Sequence, residues 1–151
     1  MFTRILFAST LTAATFAAVV LLSGCSTPPA DLDYSLKHRS ADGRFVVEMI
    51  PPGQGPAIGQ IHSWTVKLAG SDGSPVSGAR IAVDGGMPQH GHGLPTKPRV
   101  TRELASGSYL IEGMKFSMTG WWNLRLDIDA AGARDKAVFN LAMADDGLKR
   151  P

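Results

Sequence analysis

The feature that most constrains the fold is an alternation of apolar and polar residues with a period of two. It is clearest in one run, where polar residues separate Trp122, Leu124, Leu126 and Ile128. Successive side chains of a β-strand point to opposite faces, so this pattern predicts a strand with one buried face. Similar runs bounded by Gly- or Pro-containing turns predict seven strands, at 45–49, 63–68, 80–84, 99–104, 108–114, 121–129 and 137–143.

Seven short strands separated by turns are typical of an immunoglobulin-like antiparallel β-sandwich. Outside the N-terminal leader, no segment has the sustained 3.6-residue period of an amphipathic helix. We therefore expect an all-β fold with one sandwich domain over residues 43–145 and a short polar tail over 146–151. A small β-barrel is the alternative architecture.

The first 24 residues are predicted to form a cleaved signal peptide. Arg4 supplies a positive charge, residues 5–22 are apolar, and Ser23-Gly24 precede Cys25, the single cysteine. This arrangement resembles the bacterial lipobox, and the resemblance implies cleavage before Cys25 and a lipid on its sulfur. The alternative is an uncleaved spanning helix, since the apolar run approaches the roughly 20 residues that cross a bilayer.

The predicted lipid determines where the domain would be found. Residues 25–42 are expected to tether the domain to a membrane, since they contain Pro28-Pro29 and little periodicity. We expect a location in the cell envelope, facing the periplasm. Ser26 follows the anchor, and similarity to Gram-negative lipoproteins then favours the outer over the inner membrane.

Several classes of function are disfavoured by the residues present. A lipidated Cys25 leaves the folded domain without a thiol, which excludes a disulfide, a cysteine nucleophile and a blue-copper centre. No phosphate loop, zinc-protease helix motif or Gly-x-Ser-x-Gly elbow occurs, so we expect no enzymatic activity. The 15 basic and 13 acidic residues form no block of like charge, which disfavours a nucleic-acid partner.

The candidate chemistry lies in a segment rich in proline and glycine, residues 87–98, which is predicted to be a long loop. It contains Met87, His90 and His92. Imidazole suits copper, zinc, iron and nickel, whereas thioether sulfur selects soft Cu(I). The combination favours copper, with Cu(I) preferred. Met114 and Met118 follow in a later segment that a sandwich can place at the same end, where either could supply a further ligand.

Each of these residues also has a purely structural interpretation. His90 and His92 could cap backbone groups in a turn. Met114 and Met118 could fill the core or its rim, as methionine commonly does. Trp121 could stack on a bound cation or lie on the rim of the sandwich. The sequence leaves these alternatives open.

A set of short motifs runs through the predicted domain: His62-Ser63-Trp64 and residues 75–79, 85–98, 107–109 and 113–122. Through these motifs the sequence resembles the YtkA-like, FixH-type family over roughly residues 43–143. It implies a small immunoglobulin-like envelope domain of a family in which some members are implicated in copper handling and cytochrome oxidase assembly. The loop residues that carry over are Met87, His90 and His92. FixH-type members have a spanning helix instead of a lipid anchor, which leaves the oxidase partner open.

These observations lead to two main hypotheses of function. The first is a membrane-anchored copper-binding module that holds or delivers the ion, with a respiratory oxidase as one candidate recipient. The second is an accessory or assembly lipoprotein that binds another envelope protein without a metal, using exposed loop residues such as Leu94 and Pro95. A third, binding of a small organic ligand against Trp121 and Trp122, lacks polar groups that would define the ligand.

Overall fold

The computed structural model describes residues 27–149, so the predicted signal peptide and Cys25 lie outside it. Within this range the chain forms ten β-strands and one short 3-10 helix, Pro88–His90, and no α-helix. No helix of these residues is long and apolar enough to cross a membrane. The strands are β1 Lys37–Arg39, β2 Phe45–Ile50, β3 Ile61–Gly70, β4 Arg80–Met87, β5 His92–Gly93, β6 Arg99–Ala105, β7 Ser108–Lys115, β8 Gly120–Ala130, β9 Ala133–Ala144 and β10 Gly147–Lys149.

The strands form two five-stranded sheets, with the orders β1-β2-β3-β7-β6 and β10-β9-β8-β4-β5. All the pairings between these strands are antiparallel. The seven longer strands have the orders β2-β3-β7-β6 and β9-β8-β4, which are the A-B-E-D and G-F-C orders of an immunoglobulin constant-type domain. The prediction of an all-β, immunoglobulin-like sandwich is confirmed, and each of the seven predicted strands is present.

Two of the three additional strands, β1 and β10, extend the domain beyond its predicted boundaries of 43–145. Lys37–Arg39 pairs with β2 inside the predicted tether, and Gly147–Lys149 pairs with β9 inside the predicted polar tail. Each has three residues, too few to show a period of two in the sequence. They form because an exposed sheet edge offers unpaired backbone groups, and the sandwich therefore spans residues 37–149.

The core lies between the two sheets and consists of the inward-facing residues of both. Alternate residues of β8 are buried, which agrees with the alternation in the sequence. The largest fully buried side chains include Trp64, Trp122, Tyr109, Phe116 and Phe139. Burial of apolar surface stabilises a fold by roughly 25 cal/mol per Å², so these aromatic side chains dominate the stability of the sandwich.

The antiparallel strands place the connections at two ends of the sandwich. The hairpin end carries segments 51–60, 88–98 and 116–119. The opposite end carries the β3–β4, β6–β7 and β8–β9 connections. At the opposite end, the Tyr109 hydroxyl donates a 2.6 Å hydrogen bond to the Val76 carbonyl and accepts one of 3.0 Å from the Ala79 amide. Tyr109 thereby fixes the β3–β4 connection from strand β7.

Candidate functional site

The candidate site is built on a tight hairpin at the end of β4. After Met87 the chain makes the 3-10 helix Pro88–His90, and Gly91 reverses it with a φ of 63°. His92–Gly93 then returns along β4, so that His92 pairs with Met87. The first half of the predicted long loop therefore has regular secondary structure. Proline is compatible with the first turn of a helix, and glycine adopts positive φ without steric cost, which explains this local structure.

Two glycines allow the hairpin to close. A Cβ atom on Gly86 would collide with the carbonyl oxygen of His92, and a Cβ on Gly85 would collide with the carbonyl oxygen of Asn123. The Leu94 amide also donates a 2.9 Å hydrogen bond to the Gly85 carbonyl. Close backbone approach on both sides of β4 thus fixes the position of His92.

The hairpin brings the two predicted histidine ligands together. His90 and His92 are both exposed, their ring centroids are 6.0 Å apart, and their ring planes differ by 19°. The nearly parallel rings are stacked, whereas an ion bound to a nitrogen of each ring, at about 2.0–2.1 Å, lies in the plane of both rings. Both side chains must therefore rotate about their χ angles before they can share an ion, and the hairpin holds them close enough for that rearrangement.

Two of the three predicted thioether ligands, Met87 and Met114, do not reach the surface that carries His90 and His92. Met87 and Met114 both have no exposed area. The Met87 methyl carbon reaches toward Gly120, where it would lie 2.9 Å from an added Cβ. Met114 pairs with His62 in the other sheet. Met87 faces the core because it ends a strand whose side chains alternate. The histidines are exposed because His90 lies in the chain reversal and His92 lies on the edge strand β5.

Met118 and Trp121 occupy intermediate positions. Met118 is 37% exposed in the β7–β8 connection, at the hairpin end, and its carbonyl accepts a 3.0 Å hydrogen bond from Trp122 Nε1. Trp121 is half-buried, and its Nε1 donates a 3.0 Å hydrogen bond to Asn140 Oδ1. Met118 is the predicted thioether that solvent reaches, while the Trp121 ring is held against β9.

A shallow polar cleft of about 270 Å³ lies beside His92. Its lining includes Asp84 and Arg125, and the Arg125 guanidinium donates hydrogen bonds of 2.8 Å to Asp84 and 3.2 Å to Asp127. The carboxylates of Asp84 and Asp127 are therefore both paired with Arg125. In the part of the chain that the structure describes, no three or more His, Cys, Asp or Glu side chains form a group that could hold a metal. The hairpin by itself offers two imidazole ligands.

His62 is a half-buried ring outside the set of residues that the sequence predicts to bind a metal. Its Nδ1 accepts a 3.0 Å hydrogen bond from Trp64 Nε1, and its ring stacks on Phe116 at a centroid distance of 5.5 Å. Its Nε2 is buried with no hydrogen-bond partner among the described residues. Burial lowers the pKa of His62, so this ring is neutral at physiological pH.

Comparison with known proteins identifies the family. A search of the curated proteins found no match. Among solved structures, the ZirS C-terminal domain is similar at 13% identity and a TM-score of 0.40, with 93% of this chain and 86% of that one covered. The model of the family described as YtkA-like matches residues 37–127, more than half of the chain. The FixH-type part of the resemblance stays a prediction. This chain belongs to the YtkA-like family.

Proposed function

We propose that this protein is a lipid-anchored envelope module that binds a copper ion on its His90–His92 hairpin and presents the ion to a partner. The observation that carries the proposal is the separation of 6.0 Å between two exposed imidazole rings on a hairpin with fixed geometry. Because the hairpin backbone is fixed, only the side-chain torsions of the two histidines need to change when they bind an ion, which limits the loss of conformational entropy. Membership of the YtkA-like family does not identify a ligand, so copper is inferred from the two histidines.

Copper is favoured by the donor atoms that reach the surface. Among divalent first-row metals, copper binds nitrogen ligands most tightly. The buried Met87 and Met114 do not provide the soft sulfur on which the preference for Cu(I) depends, and Met118 is the exposed thioether at the same end. Cu(I) would therefore draw on Met118 in addition to the histidines, whereas Cu(II) would bind the imidazoles alone.

Two protein ligands leave coordination positions open. Structural metal sites are normally closed by four protein ligands, while sites that exchange ligands keep a position free. A two-histidine site on an exposed hairpin thus suits transient holding and delivery. The anchor at Cys25 belongs to the same proposal, because it would retain the carrier at the membrane on which its partner is found.

Competitive titration of the full-length protein with Cu(I) and Cu(II) tests the metal site. We compare the wild type with the double variant His90→Ala/His92→Ala, and use His38→Gln as control because His38 lies on β1 in the other sheet. We expect the double variant to lose at least tenfold in copper affinity and the control to lose none. Equal affinity in all three proteins would refute the hairpin site, and no copper binding by any of them would favour the non-metal accessory lipoprotein.

A further inference from the structure

We propose that the hairpin end of the sandwich rests on the lipid surface to which the chain is anchored, with Ile61 and Met118 in contact with the bilayer interface. The inference rests on the anchor in the proposed function and is independent of copper. The contact surface is the hairpin end of the domain, and its partner is the lipid interface.

The chain before β1 runs toward the hairpin end. The Leu36 carbonyl accepts a 2.7 Å hydrogen bond from the Met49 amide, one residue before β2 ends at the hairpin end. The Asp33 carbonyl accepts one of 2.9 Å from Asn140 Nδ2. Ala30 lines a groove of about 760 Å³ together with Ile50 and Pro51. The N-terminal part of the described chain therefore lies against the hairpin end.

Only a short length of chain separates Ala30 from the proposed anchor. Cys25 precedes Ala30 by five residues. Since an extended chain spans at most about 3.3–3.6 Å per residue, five residues can reach at most about 18 Å from Ala30. Strand β9 alone has 12 residues, and at about 3.3 Å each it runs about 40 Å from one end of the sandwich to the other. The lipid is consequently near the hairpin end and far from the opposite end.

The hairpin end carries few charges and two exposed apolar side chains. Segments 51–60, 88–98 and 116–119 together contain one Asp, Glu, Lys or Arg residue, Lys97. Within segment 116–119, Met118 is 37% exposed, and Ile61, which follows segment 51–60, is 68% exposed. Apolar side chains on a surface with few charges gain free energy at the boundary between headgroups and acyl chains. This surface can approach lipid without dehydrating many charges.

The opposite end differs in its charges. There Asp129 accepts hydrogen bonds of 3.0 Å from Arg80 and 3.2 Å from Arg134.

At the hairpin end, the β9–β10 turn contributes Asp145 and Asp146, which would repel anionic lipid. The contact is therefore with a neutral, apolar interface. Because His90 and His92 are on the same end, an ion bound to them would be held close to the membrane.

Fluorescence quenching in vesicles tests the orientation. The acylated full-length protein is placed in phosphatidylcholine vesicles that contain nitroxide-labelled headgroups, and a fluorophore is attached to Met118→Cys or, at the opposite end, to Ser71→Cys. Acylation blocks Cys25, so only the introduced thiol reacts. We expect quenching at position 118 to exceed that at position 71 by at least threefold. Equal quenching, or stronger quenching at position 71, would overturn the orientation.

Two further variants separate the contact from the anchor. With the label at position 118, Ile61→Asp should reduce quenching by half or more, whereas Leu104→Asp should not, since Leu104 is an exposed leucine on β6 near the opposite end. An equal effect of both would count against a lipid contact. Mass spectrometry of the protein extracted from membranes should show a chain that begins at a lipid-modified Cys25. An uncleaved leader with an unmodified Cys25 would overturn the anchor and this inference together, while a lipid-modified Cys25 combined with equal quenching at positions 118 and 71 would overturn the orientation alone.

Discussion

Trp64 Nε1 donates a 3.0 Å hydrogen bond to His62 Nδ1, two residues earlier on the same strand. An indole nitrogen only donates, so His62 Nδ1 must be an acceptor without a proton. A neutral imidazole then carries its proton on Nε2, which is the atom buried without a partner among the described residues. One hydrogen bond therefore fixes the tautomer of His62 and leaves a buried donor unsatisfied.

This relationship predicts that stability depends on pH through His62. Burial lowers the pKa of the folded ring, while in the unfolded chain the ring has its ordinary pKa of about 6.5. Below about pH 6.5 the unfolded chain binds a proton before the folded chain does, so the free energy of unfolding falls as pH is lowered. A single proton limits the slope to about 1.4 kcal/mol per pH unit, and partial solvent access makes it smaller.

Urea unfolding between pH 8 and pH 5 measures this effect. We expect His62→Gln to reduce the loss of stability in that range, because the glutamine does not titrate. His38→Gln provides the control, since the His38 ring is at the edge of the sandwich beside Phe139. The hypothesis fails if His62→Gln has the same pH dependence as the wild type.

Gly86→Ala should displace the hairpin. The added methyl group would meet the backbone of His92, which cannot move as a flexible side chain could. We expect a loss of about 1–3 kcal/mol in the free energy of unfolding and weaker copper binding through the altered histidine geometry. Gly93→Ala is the matched variant, because its Cβ would stand 3.8 Å from the nearest atom, the Gly85 carbonyl oxygen. Thermal unfolding and copper titration of both variants test this, and similar losses in the two would contradict the steric argument.

Tyr109→Phe should weaken the opposite end. The substitution removes the hydroxyl that bonds to Val76 and Ala79 and leaves two backbone groups without that partner. Loss of a buried hydrogen-bond partner costs about 1–3 kcal/mol, and we expect a decrease of that size in urea unfolding. Tyr34→Phe removes the other tyrosine hydroxyl of the chain and should change stability by less than about 0.5 kcal/mol. A Tyr109→Phe protein as stable as the wild type would show that the corner does not depend on this hydroxyl.

A substitution in the turn between β8 and β9 should stabilise the protein. Ala131 has a φ of 51° and Gly132 a φ of 73°, so both central residues of this two-residue turn are in the left-handed region. Asparagine tolerates that conformation better than alanine, and we expect Ala131→Asn to stabilise the protein by about 0.5–1 kcal/mol. Gly132→Ala should destabilise it. Melting temperatures of the two variants should shift in opposite directions, and a lower one for Ala131→Asn would show that backbone strain at position 131 does not limit stability.

Local periodicity predicted the main strands but not the edges of the sheets. Strand β8 was identifiable because its apolar residues are regularly spaced over 11 residues, whereas β1 and β10 have three residues each. Pairing partners decide whether such short segments become strands, and partners far apart in the chain leave no periodic signal. Pro88–His90 likewise forms a 3-10 helix inside a segment predicted to be a loop.

The sequence by itself determined the all-β fold, the seven principal strands and the proximity of His90 to His92, since each depends on spacing within a short stretch of chain. Only the tertiary structure decided that Met87 faces the core, that His62 keeps a buried nitrogen without a described partner, and that Ala30 lies at the hairpin end. The direction of a side chain at a strand end depends on the sheet packed against it. That packing joins residues distant in sequence, and no local pattern specifies it.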